Sequence, residues 1–162
     1  MILLLECIVA CAVFTAIMLP SVYRNPLAHI MSYPTAIRKR VESLPQYQGM
    51  IHKVERKHVI KKVAAAFVIA ALLAVVAYYS GAKDFTAAFW HVFLLFLSVN
   101  AFDAIVLDIM IFCHSTKTMI PGTEDMVAEY RSPWHHVRGF FIGQALGLVV
   151  ALLAAGFVVL IF

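Results

Sequence analysis

Long apolar runs, separated by shorter polar segments, dominate the pattern of this chain. Four runs carry few or no charged residues, and they span residues 2–19, 63–79, 85–113 and 137–162. A run of about 20 apolar residues can cross a bilayer as a helix, because a helix satisfies its own backbone hydrogen bonds within lipid. The pattern therefore predicts an all-α protein built as a bundle of four transmembrane helices, with Pro20 and Ser80 closing the first two.

The composition supports a single membrane domain. Hydrophobic residues make up 63% of the 162 residues, and charged residues make up only 14%. Soluble domains contain about 25% charged residues, so these values favour an integral membrane protein. Four spans and their connections use the whole chain and leave no room for a separate soluble catalytic domain. We therefore predict one integral membrane domain over residues 1–162.

The basic residues predict the orientation of the helices. The connection between the first two runs, residues 21–62, carries nine of the thirteen lysines and arginines. Lys117, Arg131 and Arg138 lie between the third and fourth runs or at their edge, whereas the second turn has Lys83 alone. The positive-inside rule then places both longer connections in the cytoplasm and both termini outside, in a multi-pass membrane protein. The net charge of +4 indicates anionic lipid head groups as partners, and not nucleic acid.

Residues 35–44 of the first connection predict a short basic interfacial helix. Its apolar face carries Ile37, Val41 and Leu44. Its polar face carries Arg38, Lys39 and Arg40. Such a helix lies with its apolar side in the membrane and its basic side on lipid phosphates. A plain topology anchor has the same pattern, and we favour it over a specific head-group site.

The third run contains two aspartates, Asp103 and Asp108, with Asn100 nearby. A charge at bilayer depth is costly and usually faces a bundle interior or a wet cavity, so these residues predict a functional site. At about 100° per residue, an α-helix places Asp103 near Asn100 and turns Asp108 about 140° away from Asp103. We predict an Asn100/Asp103 site for a proton, a cation or a small substrate, with Gln144 as a further hydrogen-bonding ligand. The alternative is a protonated Asp103 in a network that only fixes helix packing.

Titratable residues also cluster near the predicted cytoplasmic end of the bundle. Asp108, His114 and His136 form the combination to test first there, because histidines with a carboxylate support acid–base chemistry. This combination predicts, as an alternative function, a membrane-embedded enzyme acting on a lipid-like substrate at the cytoplasmic interface. No nucleotide-binding loop, nucleophile elbow or zinc signature is recognised, so the sequence leaves the enzyme class and any cofactor unassigned.

Two residues of the first connection have a spacing known from metal sites. Glu55 and His58 follow the Glu-x-x-His pattern of di-iron bundles. That motif needs a second copy and more carboxylates, and the surrounding lysines and arginines would repel a metal ion. The sequence therefore predicts no metal.

Small residues recur every four positions in the fourth run. The ridge consists of Gly139, Gly143, Gly147, Ala151 and Ala155. Spacing of four places them on one helical face, where a neighbouring backbone can approach closely. This small-xxx-small pattern predicts tight packing, either within one chain or in a homo-oligomer through Gly139, Gly143 and Gly147.

Three stretches of the C-terminal half carry a resemblance to a known group. They read NAFDAIVLDIMIFCH (residues 100–114), PGTEDM (residues 121–126) and GFFIG (residues 139–143). Together they resemble small, uncharacterised four-helix membrane proteins of bacteria. The resemblance implies a four-helix membrane fold and brings no activity with it. From the residues themselves, binding or transport at Asn100/Asp103 is the favoured function; an interfacial enzyme and an assembly subunit are the alternatives.

Overall fold

The computed structural model describes the backbone of residues 2–162 and the side chains of residues 2–51 and 63–162. The chain is all-helical, and no strand occurs in the described part. The α-helices are α1 (Ile2–Arg24), α2 (Thr35–Ser43), α3 (Met50–Tyr79), α4 (Phe85–Phe102), α5 (Val127–Tyr130) and α6 (Trp134–Ile161). A π-helix, Asp103–Ile111, continues α4 directly. The all-α prediction is confirmed.

Within the described residues, three helical stretches are long and apolar enough to cross a membrane. They are Ile2–Arg24, Phe85–His114 and Val127–Ile161. The apolar part of α3, Val63–Tyr79, is shorter. The residues between the long helices lie at two opposite ends of the structure. Residues 80–84 form one end, called the turn end below. Residues 25–51 and 115–133 form the other, called the connection end.

Helix α1 is longer than predicted, because it continues through Pro20 to Arg24. The expectation that Pro20 ends this helix is wrong. Proline removes one backbone hydrogen bond and crowds the carbonyl four residues earlier, but a helix can continue past it where the freed groups are satisfied again. The continuation brings Val22, which is buried, to the connection end.

Helix α6 packs against α4 and α3 through small side chains. The tight layer between α3 and α6 consists of Ala70, Ala74, Ala77, Ala151, Ala154 and Ala155. Toward α4 the approach is closer still, because a Cβ atom added to Gly147 would lie 2.3 Å from Cδ1 of Phe96. A Cβ atom on Gly143 would lie 2.7 Å from Oδ1 of Asn100, whereas nothing lies within 4 Å of one on Gly139. Gly143 and Gly147 thus serve packing within the chain, and homo-oligomerisation stays a prediction.

A second core lies at the connection end, where α2 packs on protein. Ile37 and Val41 are fully buried against a cluster that includes Ile30, Ile120 and Tyr130. The expectation that the apolar face of α2 lies in the membrane is therefore wrong. An amphipathic pattern indicates only that one face of a helix avoids water. In α2, residues of the two connections cover that face.

Hydroxyl groups tie the two connections together. The Tyr33 hydroxyl donates to the carbonyl oxygen of Thr118 at 2.8 Å, and the N–H of Ile120 donates to the Tyr130 hydroxyl at 3.0 Å. The Thr123 hydroxyl lies 2.7 Å from the Tyr130 hydroxyl and donates to the carbonyl oxygen of Ile120 at 2.7 Å. Thr123 and Tyr130 are buried, so their bonds fix the fold of the second connection, and the Tyr33 bond ties it to the first.

Tyr130→Phe should destabilise the connection end by about 1–3 kcal/mol, because it leaves the N–H of Ile120 without its buried acceptor. Tyr47→Phe is the matched control, since its hydroxyl donates to the carbonyl oxygen of Pro121 at an exposed position and at 3.3 Å. Thermal unfolding in a mild detergent measures both variants. Equal midpoints for the two variants would contradict the network as a stabilising element.

Candidate functional site

The third apolar run changes its helical geometry where its aspartates begin. Residues Asp103–Ile111 form a π-helix, in which hydrogen bonds join residues five positions apart. Asp103 and Asp108 are five positions apart, so they lie about one turn from each other on one side of the helix. Both line the same cavity. The expectation that Asp108 turns away from Asp103 is wrong, because it assumed α-helical geometry throughout.

This first cavity, called the polar cavity below, lies at the connection end. Its volume is about 100 Å³, which gives room for a few water molecules or a small ion. Its polar lining consists of His29, Ser32, Tyr33, Asp103, Asp108, Thr118, Tyr130 and His136. The first and second connections, the π-helix and α6 all contribute to it. The polar cavity therefore gathers side chains that are distant in sequence.

Asp108 and His136 form a close carboxylate–imidazole pair in the polar cavity. Oδ2 of Asp108 lies 2.9 Å from Nδ1 of His136, and both side chains are mostly buried. A carboxylate beside an imidazole can hold a proton and exchange it with bound water or substrate. His114 does not join them: it is exposed, and its Nδ1 lies 3.0 Å from the carbonyl oxygen of Ile109. Two of the three residues of the predicted combination are thus brought together.

Two residues of the first connection complete the wall of the polar cavity. Nε2 of His29 lies 2.9 Å from Oγ of Ser21, and burial lowers the pKa of His29 below its ordinary value. Burial raises the pKa of Tyr33 above its ordinary value, with smaller contributions from Tyr130 and Asp108. At neutral pH, His29 is therefore uncharged and Tyr33 keeps its proton. Neither residue could be predicted from the sequence, since no local pattern places them near Asp108.

The hydrogen-bond partners of Asn100 lie on α6, and Asp103 is not one of them. Its Nδ2 donates to the carbonyl oxygen of Phe140 at 3.0 Å and to Oε1 of Gln144 at 3.3 Å. Nε2 of Gln144 is buried without a hydrogen-bond partner among the described residues. Asn100 and Gln144 are brought together as a polar link between α4 and α6, and Asp103 lies beside that link.

A second and larger cavity, called the apolar cavity below, lies between α1, α3 and α4. Its volume is about 790 Å³, and most of its lining is apolar. The polar residues in its lining are Glu6, Asn100 and Asp103. Asp103 is therefore the residue that lies in the lining of both cavities.

Glu6, at the turn end of the apolar cavity, was missed by the sequence analysis. The Ser80 hydroxyl donates to Oε1 of Glu6, and Nε2 of His91 lies 2.7 Å from Oε2 of Glu6. His91 of α4 thus binds a carboxylate of α1. An acidic residue five positions into an apolar run is a clear signal, because a charge at bilayer depth is costly.

The predicted lipid-binding residues of α2 remain accessible in part. Lys39 and Arg40 are exposed, and Arg38 is half-buried. Nη2 of Arg40 lies 3.7 Å from Oδ2 of Asp125, which links α2 to the second connection at the surface. Contact of this basic face with anionic lipid stays a prediction.

The predicted pair Glu55 and His58 lies outside the described side chains. Among the side chains that are described, no group of three or more His, Cys, Asp or Glu residues could hold a metal ion. Comparisons with protein-family models, with curated proteins and with solved structures gave no match to this chain. Function is therefore inferred from the residues and their geometry.

Proposed function

We propose that the chain forms a four-helix transmembrane bundle in which Val63–Tyr79 is the fourth span. Two observations support this. The inner face of that segment packs on α6 through alanines, and its outer face exposes Phe67, Val68 and Leu72, as a lipid-facing helix would. At 1.5 Å per residue the segment is about 25 Å long, close to the hydrocarbon thickness of about 30 Å. The resemblance to small bacterial four-helix membrane proteins is compatible with this arrangement.

The bundle is oriented, in this proposal, with the connection end in the cytoplasm and both termini outside a bacterial inner membrane. The excess of lysine and arginine in the two connections supports this orientation. The exposed Lys39 and Arg40 would then face anionic head groups. The polar cavity would open on the cytoplasmic side, and Glu6 would lie toward the outer side.

We propose that the protein binds or transports a proton or small cation, taken from the cytoplasmic side, at Asp103. The observation that carries this proposal is the position of Asp103 in the lining of both cavities. A carboxylate between a polar cavity and an apolar one can be charged when it faces the polar side. It must be neutralised, by a proton or a cation, when it faces the apolar side.

The residues around Asp103 suit this role. Asp108 and His136, joined at 2.9 Å, can receive a proton from the cytoplasmic side and pass it to Asp103 across the polar cavity. His29 is uncharged at neutral pH and does not compete for the negative charge of the site. Asn100 and Gln144 hold α4 and α6 at a fixed distance beside Asp103.

The experiment that tests this proposal is an ion-flux assay in sealed vesicles. The purified protein is reconstituted with the pH dye pyranine inside, and a potassium diffusion potential is imposed with valinomycin. We expect proton flux above that of protein-free vesicles, and a fall to the protein-free level for Asp103→Asn. Asp125→Asn is the matched control, because that carboxylate is exposed and lies in neither cavity. A sodium-sensitive dye in parallel vesicles tests a small metal cation as the transported ion.

The proposal is wrong if Asp103→Asn carries the same flux as the unsubstituted protein. Transport is ruled out if the unsubstituted protein carries neither ion above the background. Circular dichroism and gel filtration of Asp103→Asn separate loss of function from loss of fold.

A second candidate function is an interfacial enzyme acting on a lipid-like substrate. The observation that favours it is the Asp108–His136 pair, which can act as an acid–base pair near an apolar cavity large enough for a lipid chain. In this case His136→Gln should abolish turnover, while Asp103→Asn should leave part of it. Mass spectrometry of membrane lipids from cells that express each variant compares the two patterns.

A further inference from the structure

The size of the apolar cavity is not explained by a proton or a small cation. A volume of about 790 Å³ falls within the range of about 300–1,000 Å³ that is typical of sites for drug-sized molecules. Its walls come mainly from three helices and are built of Leu5, Val9, Val13, Ile69, Leu73 and Val76, among others. Such a cavity favours an organic molecule with a large apolar surface.

The charges in the lining have one sign. Its two titratable side chains, among the described residues, are Glu6 and Asp103, and both are carboxylic acids. In apolar surroundings the effective dielectric constant is low, so a carboxylate attracts a cation and rejects an anion strongly. The lining therefore selects by charge as well as by apolar surface.

The two carboxylates differ in their partners. Glu6 is bound by Ser80 and by His91, and a protonated His91 would cancel its charge. Among the described residues, no hydrogen bond or ion pair engages the carboxylate of Asp103. Asp103 is thus the group with room for an external cation, and Glu6 contributes a weaker field from the turn end.

Aromatic rings add to this selectivity. Phe14 of α1 and Phe96 of α4 both line the apolar cavity. The faces of aromatic rings attract organic cations, by about 0.5–2 kcal/mol for each favourable contact. Phe96 is held in place from behind, because its ring lies against the backbone of Gly147.

We infer that the apolar cavity binds a lipophilic organic cation, with the positive centre against Asp103 and the apolar body between α1 and α3. Val9, Val13 and Ile69 of the lining are exposed, so the cavity is open at these residues and a cation dissolved in the membrane can enter there. The inference rests on the proposed function in one respect, because both use the carboxylate of Asp103.

Equilibrium binding of tetraphenylphosphonium to the purified protein in detergent tests this inference. Tetraphenylborate is the matched anion, since it has nearly the same shape and the opposite charge. We expect binding of the cation and none of the anion, and a loss of affinity of about tenfold or more for Asp103→Asn. Asp103→Glu, which keeps the charge, should retain most of the affinity, and Asp125→Asn should bind as the unsubstituted protein does.

Three results would overturn the inference: no binding of tetraphenylphosphonium, equal binding of tetraphenylborate, or an unchanged affinity in a folded Asp103→Asn variant. The last two would indicate a cavity that accepts any apolar molecule, such as a lipid acyl chain. The measurement uses no ion gradient, so its failure leaves the flux assay as an independent test. Conversely, binding without flux would support the inference and contradict the proposed transport function.

Discussion

Ile37→Asp is expected to unfold the connection end while the long helices α1, α3, α4 and α6 persist. Ile37 is fully buried in the cluster with Ile30, Ile120 and Tyr130, so the new carboxylate would lose its hydration without gaining a partner. Burying an unpaired ionised group costs several kcal/mol, and the group relieves the cost by protonation or by local unfolding. Limited proteolysis with trypsin should then cut the two connections much faster than in the unsubstituted protein.

Ala36→Asp is the matched control for that experiment. Ala36 is the exposed neighbour of Ile37 on the same helix, so the added charge meets water and should change neither proteolysis nor thermal unfolding. The pair of variants also distinguishes two environments of α2. If the apolar face of α2 lay in the membrane, Ile37→Asp would weaken lipid attachment without opening the second connection to trypsin, which would contradict the packing described above.

Gly147→Leu is expected to disrupt the packing of α4 against α6. A Cβ atom added at Gly147 would lie 2.3 Å from the ring of Phe96, and the rest of a leucine side chain has no space between α4 and α6. Overpacking costs about 1–3 kcal/mol for a few extra methylene groups, and we expect at least the upper value here because the neighbour is a ring held between α4 and α6. Thermal unfolding in mild detergent should show a clearly lowered midpoint, and the yield of monodisperse protein should fall.

Gly139→Leu provides the comparison, since nothing lies within 4 Å of a Cβ atom there. On packing grounds it should fold normally, with a small gain from the higher helix propensity of leucine. If the glycine ridge instead serves mainly as a contact between copies, Gly139→Leu should shift the oligomeric state in gel filtration with light scattering. A normal midpoint for Gly147→Leu would rule out the close approach of α4 and α6 as a source of stability.

The sequence predicted the helical class and the polar positions well, because both depend on local composition. Apolar runs place helices wherever the backbone must satisfy its own hydrogen bonds, and each of the three candidate spans overlaps a predicted run. Asp103 and Asp108 were recognised as unusual from their surroundings alone. The same rule applied to the first run would have identified Glu6.

The pairing of the site residues could not be predicted from the sequence. Asp108 meets His136 through the packing of α6 against the π-helix, and Glu6 meets His91 through the packing of α1 against α4. These contacts join positions 28 and 85 residues apart, and no local pattern records which helices are neighbours. His114 is closer in sequence to Asp108 than His136 is, but it is exposed and lies outside the pair.

The sequence by itself determined that this chain is all-helical and apolar enough for a membrane, and where its costly polar residues lie. Those properties follow from hydration and backbone hydrogen bonding, which act residue by residue. Only the tertiary structure decided the direction of Asp108, the protein-covered face of α2 and the place of Asp103 between two cavities. The physical reason is that an apolar face is equally satisfied by lipid or by protein, and that a helix adopts the π form only where its neighbours hold it there.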